Sequence, residues 1–240
     1  MCYNVTEVKI VGITANALSI IAGAFLGSTF KERIKLQNFT VLSISIMIIS
    51  LVGFFENIYG VNGLTLESNE LLVVVFALIV GTITGDFIKL DTKISNLSSL
   101  KKDGFSVLID SSIFFGVGGL QICGPMLLAT MGDSSQLLLK SVIDFPFALM
   151  FGISYGKKVA FSSIPVAVGQ VLIFLATMLS KSFFDDSVIR QMCAMGYIIL
   201  FFSGFNLICD KKNKINNVNM IIGIFIILVY NIIKGFWRTV

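Results

Sequence analysis

Lys140 and Asp144 stand four residues apart in an apolar run, with Ser141, Val142 and Ile143 between them. On a helix that spacing puts an ammonium and a carboxylate on one face. A charge deep in a membrane span costs about 2.5–3.5 kcal/mol on insertion scales. An aspartate there needs a partner, water or a bound cation. Two readings stay open: a structural ion pair near an interface, or a site for a cation, a proton or a polar substrate. Pro146 follows closely and frees a backbone carbonyl one turn earlier, near Val142. Carbonyls freed at membrane depth must find partners, and ions can serve. Asp144 is thus a possible sodium ligand. The chain has no histidine, so the commonest proton shuttle and metal ligand is missing. Proton coupling would then fall to a carboxylate.

The second signal is the stretch Phe115-Gly116-Val117-Gly118-Gly119-Leu120-Gln121-Ile122-Cys123-Gly124-Pro125. Glycine inside a helix costs about 1 kcal/mol relative to alanine, so this composition favours a break or very close packing. A break would present the backbone around Gly116, Gly118 and Gly119 beside Gln121. Transporters build midplane sites from such discontinuous helices. Tight packing through small residues is the competing reading.

Asp110, with Ser111 and Ser112, opens the same segment and reads best as an interfacial residue. Asp86, after Gly81-x-x-x-Gly85, reads the same way. Asn16, Gln170 and Asn206 are amides inside apolar runs, where such side chains more often join helices than bind substrate. Together with Ser141 they could line a polar path. No catalytic constellation, nucleotide-binding loop or Cys-x-x-Cys pair occurs. An enzyme, a resident cofactor and a nucleic-acid partner are therefore not expected.

The elements that must hold these residues are long apolar helices. Of 240 residues, 55% are hydrophobic and 13% charged, and mean hydropathy is +0.91. Soluble domains carry about 25% charged residues, so much of this surface must meet lipid. Apolar runs cover 10–30, 39–59, 70–88, 105–131, 138–156, 159–180, 188–209 and 216–236. A run of about 20 residues crosses the hydrocarbon core as a helix. The runs are continuous rather than alternating, which argues against strands. The expected fold is an all-α, polytopic transmembrane bundle of eight helices with a possible break in the fourth.

With eight spans, Lys31, Arg33, Lys35, Lys89, Lys93, Lys101, Lys102, Lys157, Lys158, Lys211, Lys212 and Lys214 share one side. The positive-inside rule makes that side cytoplasmic, with both termini outside. Lys234 and Arg238 dissent weakly. The segment from Asp91 to Lys102 repeats Ile94, Leu97 and Leu100, as either a surface helix or a solvated loop. The chain reads as one domain, 1–240. Gly23-x-x-x-Gly27 after Asn16 echoes Gly152-x-x-x-Gly156 after Asp144. The echo suggests parallel repeats over 10–131 and 138–236, although chance can also produce it.

Across nearly its whole length the chain resembles a bacterial inner-membrane family, domain of unknown function 554, the YdfK/YqgA-like proteins. The matching pieces are Gly12-x-x-x-Asn16-Ala17-Leu18, Gly23-x-x-x-Gly27, Gly81-x-x-x-Gly85-Asp86 with Asp91, and Gly116-x-Gly118. Further matches are Lys140-Ser141-x-x-Asp144, Ile164-Pro165-Val166 with Gln170, and Gly204-x-Asn206-Leu207. Asp86 and Asp91 stand where the resemblance leads one to expect glutamate. Phe145-Pro146 replaces an expected glycine-containing turn. The resemblance implies an inner-membrane location and makes Lys140 with Asp144 a family feature. It supplies no substrate, since the family is described as uncharacterised or as transport proteins.

The functional expectation is a small, homodimeric secondary transporter for an unknown small molecule or ion, coupled to sodium or protons. A membrane scaffold or accessory subunit comes second. An ion channel comes third, because the polar residues cluster rather than form rings.

Overall fold

A computed structural model describes residues 5–33, 39–62, 65–67, 70–90, 92–93, 105–117, 119–180, 184–210 and 213–238. The helices are α1 (Val5–Thr29), α2 (Phe39–Ile58), α3 (Leu71–Ile88), α4 (Phe105–Val117), α5 (Leu120–Met131), α6 (Ser135–Tyr155), α7 (Ser163–Leu179), α8 (Asp186–Ile208) and α9 (Ile221–Arg238). Each expected span coincides with one of these helices, except the fourth, which is α4 and α5 together. The fold is a helical membrane bundle. Its lipid-compatible surface includes Leu72, Phe76, Phe87 and Leu179, all exposed large apolar side chains. The segment expected as a surface helix or loop lies outside the described residues, apart from Thr92 and Lys93.

One feature departs from the all-helical expectation. Gly60–Asn62 pairs antiparallel with Thr65–Glu67 in a two-stranded hairpin between α2 and α3. The sequence Gly63-Leu64 that joins them contains a glycine, a residue that favours tight turns. It operates between the spans, where continuous apolar runs give no information.

The described residues form two compact units that interleave in sequence. Residues 1–42 with 94–179 make one, and 43–93 with 180–240 make the other. These boundaries are not those of the halves 10–131 and 138–236.

The first unit contains α1 and α4 to α7. Along α1, Gly12, Asn16, Ile20, Gly23, Ala24 and Gly27 are buried at helical spacing, one stripe facing α6. A side chain on Gly23 would strike the Phe145 carbonyl and Ala148. One on Gly27 would strike the Leu149 backbone, and one on Gly12 would meet Leu137. The pairing runs in the same direction on both helices, so α1 and α6 are parallel and nearly in backbone contact.

The apolar stretch Ser135–Leu179 has 45 residues. As one helix it would run about 68 Å, twice the hydrocarbon core of about 30 Å. Gly156, at φ 78°, divides it. This left-handed conformation is open to glycine and strained for other residues. A 3₁₀ segment, Gly156–Ser162, follows. Helix α7 then returns, so that Ala167 and Phe174 pack on Ile13, Leu128 and Leu137. Those contacts lie at the far end of α6 from Gly156.

In the second unit, Gly81 and Gly85 of α3 meet the backbone of α9 at Gly223 and Asn219. Gly53 of α2 meets the buried Tyr197 ring of α8. Asp185 caps α8 by accepting from the Val188 N–H at 2.8 Å, a stabilising arrangement for a helix start.

Candidate site at the broken span

Helix α4 has 13 residues and α5 has 12. Each is about 18–20 Å long, too short to cross alone. Their axes bend by 54° at the junction, the geometry of a broken span or of a re-entrant loop, and the continuous apolar run 105–131 reads as one discontinuous crossing. Glycine at 116 and 119 weakens the helix here, and Pro125 inside α5 lacks the N–H that would bond the Gln121 carbonyl.

The lysine and aspartate of α6 meet this break. Lys140 is 3% exposed and Asp144 4%. Lys140 Nζ donates to Asp144 Oδ2 at 2.6 Å and to the Phe115 carbonyl at 2.9 Å. Phe115 lies in the last turn of α4, where carbonyls have no amide of their own helix to accept from. A cation is favoured at such a C-terminal end. One ammonium thus neutralises a buried carboxylate and ties the broken span to α6. Breaking a buried pair by removing one partner costs about 3–5 kcal/mol.

Asn16 of α1 completes the group. It is fully buried, and the Asp144 carboxylate is its neighbour. Neither its Oδ1 nor its Nδ2 closes a hydrogen bond of ordinary geometry. A buried polar group without a partner costs about 1–3 kcal/mol, so this amide is an exception that calls for an explanation. The glycine contacts of α1 against α6 hold it there.

The other expected residues divide. Gln121 donates through Nε2 to the Val166 carbonyl at 2.9 Å, and Gln170 Nε2 donates to Gln121 Oε1 at 3.1 Å. This pair joins α5 to α7, and Gln170 Oε1, like the two polar atoms of the Asn16 side chain, is buried without a hydrogen bond of ordinary geometry. Ser141 donates to the Leu138 carbonyl of its own helix at 2.7 Å. A side chain at Gly116 would meet nothing within 4 Å, so there is room on that flank of the break. The Gly119 carbonyl accepts from the Ile122 and Cys123 amides, both at 3.1 Å, and so is engaged by α5. Gly118 lies outside the described residues.

Asp110 is exposed and stands apart from the buried group. Asn206 belongs to the second unit. Its Nδ2 donates to the Ile215 carbonyl at 2.7 Å, and its Oδ1 accepts from the Ile215 amide at 2.8 Å. That arrangement locks the connection between α8 and α9. Asp110 therefore does not join the group at the break, and the Asn206 amide is engaged within its own unit.

Two features escaped the sequence reading. One is the Phe115 carbonyl, which no side-chain pattern marks. The other is a polar network in the second unit. Ser187 donates to Glu70 Oε1 at 2.7 Å, Gln191 donates to Glu70 Oε2, and Asn231 Nδ2 donates to Gln191 Oε1 at 2.8 Å. Amides at 191 and 231 inside apolar runs were the available signal.

Among the described residues no cluster of three or more Cys, Asp or Glu side chains has metal-binding geometry. A cation at Asp144 would rely on one carboxylate with carbonyl and amide oxygens.

Apolar helices around a discontinuous span with a buried ion pair define a polytopic membrane protein. The chain belongs to the family described as Protein of unknown function (DUF554), which matches residues 11–232. It is similar to "Uncharacterized membrane protein YdfK" of Bacillus subtilis (strain 168), at 24% identity over 86% of this chain and 90% of that protein. It is also similar to "Uncharacterized protein YqgA" of Escherichia coli (strain K12), at 26% identity over 85% and 88%. No solved structure matches.

Proposed function

We propose that this chain is a small secondary carrier whose site lies where the broken span meets α1 and α6. The observation that carries the reading is Asn16. Its fully buried amide sits beside the Lys140–Asp144 pair with neither its donor nor its acceptor in a hydrogen bond of ordinary geometry. A buried amide with spare hydrogen-bonding capacity next to an ion pair suits a transient polar ligand. Asp144 takes the coupling ion, sodium or a proton. Lys140, Asn16, the Phe115 carbonyl and the room beside Gly116 serve the ion and an unknown small substrate. No catalysis and no resident cofactor belong to this role.

The protein would reside in a bacterial inner membrane, with its basic loops in the cytoplasm and both termini outside. It would work as a homodimer, the second copy giving a thin bundle something to move against.

The test is thermal stability in detergent in sodium, potassium and choline chloride at matched ionic strength and several pH values. A ligand that binds only the folded state raises stability by mass action. Sodium or pH should shift the wild type and not Asp144→Asn. If no ion shifts either protein, the carrier reading fails. A scaffold or accessory subunit is then the better reading. The observation in favour of that alternative is that Lys140 and Asp144 already satisfy each other.

A further inference from the structure

We infer that the site binds a monovalent cation and a carboxylate-bearing anion together, one to each member of the Lys140–Asp144 pair. The inference rests on the carrier reading and names its substrate class.

The pair carries no net charge. A lone cation at Asp144 would displace Lys140 and leave that ammonium unpaired inside a membrane span, a costly state. A lone anion at Lys140 would strand Asp144 in the same way. Entry of both together keeps the site neutral and gives each protein charge a counterpart.

The uncharged groups divide along the same line. Asp144, the Phe115 carbonyl and Asn16 Oδ1 are three oxygen acceptors for a cation. Lys140 Nζ and Asn16 Nδ2 are two nitrogen donors, a match for the two oxygens of one carboxylate. Lys140 at present takes both the Phe115 carbonyl and Asp144, so moving that one side chain frees two cation ligands and one anion ligand together. The Asn16 amide serves whichever way round it lies, because neither of its atoms is held in a hydrogen bond of ordinary geometry. One positive and one negative protein group restrict the ligands to single charges. A small zwitterion supplies the same two charges from one molecule.

The experiment measures melting temperature of the full chain in detergent as sodium is titrated against propionate or chloride, with choline propionate and glycine in choline chloride as further arms. Sodium and propionate should each tighten the other by about tenfold, by the reciprocity of coupled binding. A shift from glycine alone would support the paired site and identify the zwitterion as the source. The double variant Lys140→Met/Asp144→Leu stays neutral and apolar, so it should fold and lose the synergy. If sodium stabilises equally with either anion, the paired-ligand inference is overturned while the carrier reading stands. If no salt or glycine shifts the wild type, both are overturned.

Discussion

Lys140 on α6 holds the carbonyl of Phe115, 25 residues earlier in the chain, at 2.9 Å. A lysine ammonium thus takes the place that an amide of the next turn would fill in a continuous helix. The break in the fourth span is therefore bonded rather than merely loose. Its stability depends on a charge that is itself held by Asp144.

Single removal of either charge should be expensive. Lys140→Met strands a carboxylate, and Asp144→Leu strands an ammonium. Each should lower stability by about 3–5 kcal/mol. The double variant should recover most of that loss, because an apolar pair of similar volume often substitutes without penalty. A double-mutant cycle on melting in detergent reads the coupling directly.

Asn16→Leu should behave in the opposite way. It removes an unsatisfied amide whose burial costs about 1–3 kcal/mol and fills similar volume. The variant should melt at or above the wild-type temperature without ions, yet lose the ion-dependent rise. A large drop in melting temperature in ion-free buffer would show that the amide is structural.

The glycine face of α1 can be tested by contrast. Gly23→Val drives a side chain into the Phe145 carbonyl and Ala148. Overpacking of this kind costs about 1–3 kcal/mol and should also shift Asn16 from Asp144, so stability and ion response fall together. Gly116→Ala meets nothing within 4 Å and should change stability by no more than about 1 kcal/mol. Equal effects from the two variants would contradict the packing described for α1.

The network of the second unit should be separable from the ion response. Gln191→Ala leaves Glu70 and Asn231 without a shared partner. It should cost about 1.5–3 kcal/mol, as expected for hydrogen bonds to a charged group. The sodium-dependent shift should persist in that variant, measured on the same melting curves.

Much of the fold was legible because lipid imposes a simple rule: about 20 apolar residues make a crossing. The eight runs map onto the helices, and the glycines between 116 and 124 marked the broken span. Lys140 and Asp144 were legible because four residues make one turn. What the sequence left obscure is contact through space. Nothing in the residues near Phe115 says that its carbonyl would meet a lysine from another helix. Asn16 and Asn206 look alike as amides in apolar runs, but one closes a connecting loop and the other lies beside an ion pair without a hydrogen bond of ordinary geometry. The interleaving of the compact units was equally hidden, since apolar runs report crossings and not which crossings pack together.

That interleaving has a consequence for biosynthesis. Asn16 faces residues made roughly 125 positions later. At about 5–20 residues per second, α1 is complete some 6–25 seconds before α6 is made to cover it. Helices α2 and α3 likewise precede α8 and α9. A large part of the protein must wait as unassembled helices, and during that wait polar residues in them depend on lipid headgroups, water or the insertion machinery for shelter.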